Sequence, residues 1–433
     1  MTTSTRLSVD YGSLVLEDRA HSSIFTSPEI FEDELENIFT RGWVYVAHTS
    51  EVPEPGDYVT KWMGRVPVLL VRDEDGAVRL FVNRCRHRGN MVCQYERGNS
   101  MYFTCPYHGY TYSSRGDLVG IPRADAYGDA YREEVTGLAL VPRMSVYRGF
   151  VFASLAPGEM TLEEHLGESC MRMIDLFCDA SPAGEIELRA GVHRHSYGGN
   201  WKQIGMDGYH AQIVHESFFS VRQKRADVPR YQNRQRAEYG ARDLGQGHAM
   251  LDMRFKGGTF GAILACRDKP WFPDYETSLE RAHGAAWVGQ VIGASGDPHL
   301  HVYPNLELID SHVRVIHPLS VDQTVIYMYP ALLKGAPDEL NELRLRTHES
   351  FYGPASGGNP DDYEVFERTQ LGMMGEVNPW IMLARGLDRQ HVDYDDPSIP
   401  GTLLADGSDE ITQRGQLMRW KADMMARRLG ASA

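Results

Sequence analysis

Two short loops in this chain each carry one cysteine and one histidine: Cys85-x-His87 and, after seventeen intervening residues, Cys105-x-x-His108. The four ligands can serve one centre only if the fold brings the two loops together, so the pair constrains everything built around it. Two thiolates and two imidazoles suit a two-iron, two-sulfur cluster in which the cysteines bind one iron and the histidines the other. Imidazole is neutral where thiolate is anionic, so the histidine-bound iron is easier to reduce and the potential rises. A Cys2His2 zinc site draws on the same ligand types. Zinc fingers, however, usually place the two cysteines together and the two histidines together, whereas here each loop gives one of each. Gly89 in CRHRG and Gly109 in CPYHG stand where a tight turn around sulfide needs them. Pro106 fixes its own φ within the second loop.

A chain of 433 residues implies about two to three domains and a large core. The net charge of −15 argues against nucleic acid as a partner, since phosphate binding wants a basic face. Six cysteines are too few for a disulfide framework. Cys93, Cys170, Cys178 and Cys266 read as small buried hydrophobes in a reducing compartment. The N-terminal residues have no signal-peptide apolar core, and no run of eighteen apolar residues would make a membrane helix. A cytoplasmic protein is expected.

Along the chain, Ser27-Pro28-Glu29 opens a helix with a cap, a proline in the first turn and an acid at the positive end of the dipole. Ile30, Phe31, Leu35, Ile38 and Phe39 recur at helical spacing as its buried stripe. From Val44 the pattern changes to short strands, including VPVLLVR, VRLFVN, MYFTC and GFVFASL, punctuated by Asp75-Gly76 and Arg115-Gly116-Asp117. Both cysteine–histidine loops lie in this stretch. Beyond Pro157-Gly158 comes a helical piece and then a mixed region. HVRVIHPLSVDQTVIYMYPAL reads as a hairpin; DELNELRLRTHESFY, DYEVFERTQLGMM and the last twenty or so residues read as helices. The fold class is therefore α+β. A helical segment spans 1–43, an all-β domain holding the cluster 44–157, and an α+β domain 158–433. Residues 220–247 are polar and basic, with Arg222, Lys224, Arg225, Arg230, Arg234 and Arg236. They read as a solvated loop or, alternatively, a cover over a pocket.

A second metal site is suggested by NWKQIGMDGYHAQIVHESF. His210 and His215 are five apart, about 500° of rotation on an ideal helix, so they converge only if the helix is irregular or one lies at its end. Asp207 and His210, three apart, share a face; a helix cap is the plainer role for Asp207. Far downstream, Asp361-Asp362 opens another helix. Two histidines and one carboxylate form the facial triad of non-haem Fe(II) oxygenases and leave open positions on the iron. Beside a one-electron cluster, such an iron is the natural destination of the electron.

CRHRG…CPYHG together with NWK…DGYH…H resembles the large (alpha) subunit of Rieske non-haem iron aromatic-ring-hydroxylating oxygenases. The likeness runs from the N-terminal helix past Arg385-Gly386. GPASGGNPDDYEVFERTQLG is similar to the segment that supplies the family's iron carboxylate, and HVYPNLELI to its aromatic-Pro-Asn strand. The resemblance implies an all-β Rieske domain and a helix-grip catalytic domain, an antiparallel sheet wrapped with helices. Cys85, His87, Cys105 and His108 would hold the [2Fe-2S] cluster. His210, His215 and Asp362 would hold a mononuclear Fe(II), with Asp361 as the alternative carboxylate. Asp207 would be the catalytic bridge between centres, joining His210 to His108 of a neighbouring subunit in a trimer. One departure stands out: only seven positions separate Asn200 from Asp207, fewer than the family usually has, which leaves Gln203 and Met206 as candidates for part of the pocket wall.

The activity so implied is that of a terminal oxygenase. Electrons from NAD(P)H arrive through a reductase and ferredoxin, and both atoms of dioxygen add to an aromatic ring as a cis-dihydrodiol. A small beta subunit, giving an alpha3beta3 assembly, or a homotrimer fits the same scheme. No G-x-G-x-x-G follows a strand and there is no P-loop, so nucleotide binding falls to another protein. PDDYEVFERTQLG looks closest to oxygenases of aromatic carboxylates such as benzoates or salicylates, and arginines of 222–242 could meet a carboxylate bidentately. Phe218, Phe219, Phe260, Ile263, Leu306 and Phe351 are either pocket wall or plain core. A monooxygenase or demethylase on the same scaffold, and a pure electron-transfer protein, are the alternative readings.

Overall fold

The computed structural model describes residues 9–127, 137–206, 239–252, 254, 261–309, 311–356, 358–375 and 377–430. Chain contacts divide it into two compact units. One comprises Phe39–Leu162 with Glu187–Arg189; the other comprises Met1–Ile38, Glu163–Ile186 and Ala190–Ala433. The first boundary thus falls earlier than a strand-based reading at Val44, because Phe39 to Gly42 already pack with the β-rich unit.

That unit is built from β1 (Val44–His48), β2 (Asp57–Met63), β3 (Val66–Arg72), β4 (Val78–Val82), β5 (Arg97–Asn99), β6 (Tyr102–Thr104), β7 (Thr111–Ser113), β8 (Leu118–Gly120), β9 (Arg143–Tyr147) and β10 (Phe150–Ser154). They form three antiparallel sheets, ordered β9-β10-β1, β4-β3-β2-β5 and β6-β7-β8. β3 does not alternate: Val68, Leu69, Leu70 and Val71 are all fully buried, the pattern of a strand covered on both faces. Tyr58, Leu69, Val71, Phe81, Phe103 and Tyr112 cluster with Cys85 and Cys105 in one core. The two cysteines are therefore anchored in the interior.

The second unit opens with α1 (Pro28–Glu34), where Ser27 accepts the Ile30 N–H and Pro28 occupies the first turn. The expected stripe is buried throughout, but Leu35–Thr40 continues as a π-helix. Its later elements are α2 (Leu162–Cys178), β11 (His193–Tyr197), α3 (Lys202–Met206), β12 (Gly240–Gly245), β13 (His248–Asp252), α4 (Phe272–His283), α5 (Ala285–Gly293), β14 (Leu300–Val302), β15 (Leu306–Ile309), β16 (His312–Ser320), β17 (Gln323–Pro330), α6 (Asp338–Tyr352), α7 (Asn359–Met373), β18 (His391–Asp393), β19 (Thr402–Asp406) and α8 (Ile411–Gly430). The strands make one nine-stranded antiparallel sheet, β11-β17-β16-β15-β14-β13-β12-β19-β18. Among the described residues no helix is long and apolar enough to cross a membrane.

Register fixes which side chains share a face, since residues directly opposite in a ladder project the same way. His193, Met328, Arg314, Glu307 and His301 lie opposite one another across five strands. Helices cover this row. Asn359 of α7 sits 3.1 Å from Met328 Sδ, and Tyr363 stacks on Tyr197. Gln416 of α8 meets His301 Nε2 at 3.1 Å. Gly205 of α3 lies so near that a Cβ there would stand 2.5 Å from His301 Cε1, so only glycine lets α3 settle on the sheet. Leu306 pairs with Val302 and Val315 in the alternate row and projects from the opposite face, a place in the core rather than beside α7.

The Asn200-Trp201-Lys202 segment is held from several sides. Glu34 accepts hydrogen bonds from Trp201 Nε1 (2.8 Å), Lys202 Nζ (2.5 Å) and Trp420 Nε1 (2.6 Å). Gln370 of α7 accepts from the Asn200 amide and from Gln203 Nε2, and donates to the Phe25 carbonyl. Gln203 is thus scaffold, tying α3 to α7.

Candidate functional site

The cysteine–histidine loops are conformational copies. Cys85 N–H donates to the Asn90 carbonyl at 2.8 Å and Gly89 N–H to the Cys85 carbonyl at 3.0 Å; Cys105 N–H donates to Tyr110 and Gly109 N–H to Cys105 at the same two distances. Gly89 and Gly109 take φ of 77° and 73°, a region L side chains avoid. The His87 and His108 rings stand 4.7 Å apart, and His87 stacks on Tyr110. The thiols are buried while both imidazoles are half-buried, so the histidine side is the one nearer solvent. Among the described residues no three His, Cys, Asp or Glu side chains group around one ion; a cluster of this kind takes two protein ligands per iron.

Three local features fit a sulfur-bridged cluster. His87 Nδ1 is buried with no hydrogen-bond partner. Tyr112 Oη lies 3.3 Å from Cys85 Sγ and accepts the Arg86 N–H at 3.0 Å. Asn90 Nδ2 approaches Cys105 Sγ at 3.9 Å. Burial, then the neighbouring Cys85 sulfur, push the Tyr112 phenol well above its ordinary pKa, so it stays a donor. Burial, His108 and Arg88 lower His87, which keeps the imidazole neutral and able to ligate.

Of the second constellation, Asp207, His210 and His215 lie outside the described residues, as do Arg222, Lys224, Arg225, Arg230, Arg234, Arg236, Phe218, Phe219 and Phe260. The segment that delivers them is described: α3 ends at Met206, one residue before Asp207. α7 carries the two acids in its first turn. Asp362 is buried and Asp361 half-buried, which favours Asp362 as an interior ligand. Arg242, at the end of the arginine-bearing stretch 222–242, is fully buried and committed to Asp252 (2.7 Å), Asp393 (2.8 Å) and Asp396 (3.5 Å).

Beneath α7 lies a polar floor that sequence reasoning missed. Arg314 Nη1 donates to Glu307 Oε2 at 3.0 Å, and His301 Nδ1 is 3.7 Å from Glu307 Oε1, too long for a hydrogen bond. Burial opposes the Arg314 charge, but Glu307 foremost and Asp362 to a lesser degree hold its pKa above the usual value. Burial alone would raise Glu307; Arg314 and His301 outweigh it and leave the carboxyl lowered.

Residues 42–142 match the family model of the Rieske [2Fe-2S] domain, and residues 185–405 that of the ring hydroxylating alpha subunit catalytic domain. The chain belongs to the ring-hydroxylating alpha-subunit family. It is 36% identical to the alpha subunit of toluate 1,2-dioxygenase of Pseudomonas putida, covering 87% of this chain and 85% of that one. It is 32% identical to the large subunit of 2-halobenzoate 1,2-dioxygenase of Burkholderia cepacia, covering 85% and 80%. A crystal structure of naphthalene 1,2-dioxygenase from a Rhodococcus species, bound to indole, superposes with a TM-score of 0.79 at 28% identity over 94% of each chain. This ring-hydroxylating alpha subunit is the terminal oxygenase component of an aromatic-ring dioxygenase. It pairs a Rieske [2Fe-2S] domain with a catalytic domain of the kind that holds a mononuclear iron. As one component of a multicomponent enzyme, it draws its electrons from other proteins.

Proposed function

We propose that this alpha subunit dihydroxylates a benzoate-type aromatic carboxylate, adding both atoms of dioxygen at the carboxylate-bearing carbon and its neighbour. One observation carries the reading: two relatives matched over at least 85% of this chain are named for 1,2-dioxygenation of substituted benzoates.

In this reading Cys85, Cys105, His87 and His108 hold the cluster, and His210, His215 and Asp362 hold the mononuclear iron. When bound, the two centres supply one-electron storage and oxygen activation. The protein's part is placement. Tyr112 donates toward the Cys85 sulfur, which tunes the centre. Gln370 and the Glu34 hub fix the α3 entry to Asp207 relative to α7. Asp207 bridges toward His108 of a neighbouring subunit and orients His210, since a ligating imidazole donates its other N–H to an acceptor. A trimer with a small beta subunit, fed by a ferredoxin and an NAD(P)H-dependent reductase in the cytoplasm, completes the scheme.

A substrate panel with a reconstituted electron chain tests this. Benzoate, toluates, salicylate and anthranilate should be turned over ahead of benzene, biphenyl and naphthalene. Exclusive oxidation of the hydrocarbons, or monohydroxylated products alone, would overturn it.

A further inference from the structure

The floor under α7 holds more polar groups than it satisfies. His312 and His348 are fully buried, yet both nitrogens of each ring lack hydrogen-bond partners. His193 Nδ1, His195 Nε2 and Arg314 Nε are in the same position. These groups form one cluster. The His312 ring lies 5.1 Å from His348 and 4.2 Å from Tyr352. His348 stacks on His193 at 4.7 Å, and Arg314 Cζ is 5.8 Å from the Tyr352 ring.

A buried polar group left without a partner is costly, and native interiors seldom tolerate one, let alone several side by side. Something polar belongs among them. Its chemistry follows from what they offer. Burial depresses His348 to about 3 and His312 well below its usual value, so the imidazoles are neutral rings with one N–H each. Arg314 is a permanent cation of the group, with the buried Arg344 close enough to act on both histidines, and the Glu307 carboxylate accepts from Arg314 Nη1. The remaining Nε–H and the imidazole N–H groups make a donor-rich, cationic cluster beside the Tyr352 ring. An acceptor with delocalised negative charge fits it.

The cluster is also in the right place. Asn359, packed against Met328 in the same row as His193 and Arg314, is one helical turn before Asp362 on α7. We propose that Arg314, His312 and His348 form the subsite that receives the carboxylate of the aromatic substrate, orienting its ring toward Asp362. The inference rests on the aromatic-carboxylate reading above.

The test compares benzoate with its neutral isostere benzamide, titrated calorimetrically against the purified holoenzyme and against enzyme stripped of mononuclear iron. Wild type should prefer benzoate by about tenfold or more, the worth of a charge-assisted hydrogen bond, with or without the iron. Arg314→Met combined with Glu307→Met removes the ion pair together and should erase that preference. His312→Phe, which keeps the volume, should weaken benzoate at least about fivefold while sparing benzamide; this variant stands in if the double substitution does not fold. Benzoate turnover with an unchanged benzoate preference in folded variants would place the carboxylate elsewhere and leave the substrate reading intact. No preference for benzoate in wild type, with the cluster then holding water only, would overturn the subsite; turnover of hydrocarbons alone would overturn the substrate reading too.

Discussion

Lys202 and Glu34 are 168 positions apart and meet at 2.5 Å, with side chains 1% and 0% exposed. The rings of Phe25, Trp201 and Trp420 lie within 5.9 Å of the ammonium. Burial drives the Lys202 pKa down, and Glu34 works against that. Because α3 starts at Lys202, this pair fixes where α3 begins. Glu34→Gln leaves a buried charge uncompensated and should cost about 3–5 kcal/mol, read as a lower denaturation midpoint. The visible spectrum of the cluster should survive, and the mononuclear iron content should fall.

Tyr112 tests the cluster. Tyr112→Phe deletes the hydroxyl beside Cys85 Sγ while preserving the ring. A hydrogen bond to a charged acceptor is worth about 1.5–3 kcal/mol, or roughly 65–130 mV for a one-electron couple. Donation to sulfur favours the reduced, more negative state, so the variant's potential should be lower by that amount in a redox titration. An unchanged potential would mean that the hydroxyl does not donate to the sulfur.

Asp362 tests the second centre. Asp362→Ala should reduce the iron content from about three per chain to about two, abolish turnover and leave the cluster spectrum as it was. Asp361→Ala should keep all three irons.

The carboxylates around Arg242 predict acid sensitivity at the β18–β19 edge. Burial alone would raise Asp396 and Asp393. Hydrogen bonds from Ser398 and the charge of Arg254 for the first, and Arg242 for the second, outweigh it and leave both pKa values lowered. Lowered carboxyls stabilise the fold fully above the ordinary carboxylate value of about 4, and that stability is lost as the pH falls through the lower folded-state values. Urea midpoints should therefore separate wild type from Asp396→Asn at pH 6, and the gap should close below about pH 4.

The sequence made the local features legible and left the distant ones unread. The cluster loops, α1, α6, α7 and the β16–β17 hairpin each announce themselves within a few residues, through ligand spacing, a cap or strict periodicity. α4 and α5 go unread because Pro270, Pro273 and Gly284 punctuate their segment as a loop would. The π-helix at Leu35–Thr40 leaves no mark, since Leu35, Ile38 and Phe39 suit either winding. The polar floor was invisible for a different reason. His193, Arg314, Glu307 and His301 come from four strands, and only sheet register sets them in a row.

A single turnover of chemically reduced enzyme with benzoate under 18O-labelled dioxygen is the most direct test. The product should be a cis-diol carrying two labelled oxygens, formed as the cluster becomes oxidised. Cluster oxidation with no organic product, or a product with one labelled oxygen, would contradict the assignment of this chain as a benzoate dioxygenase.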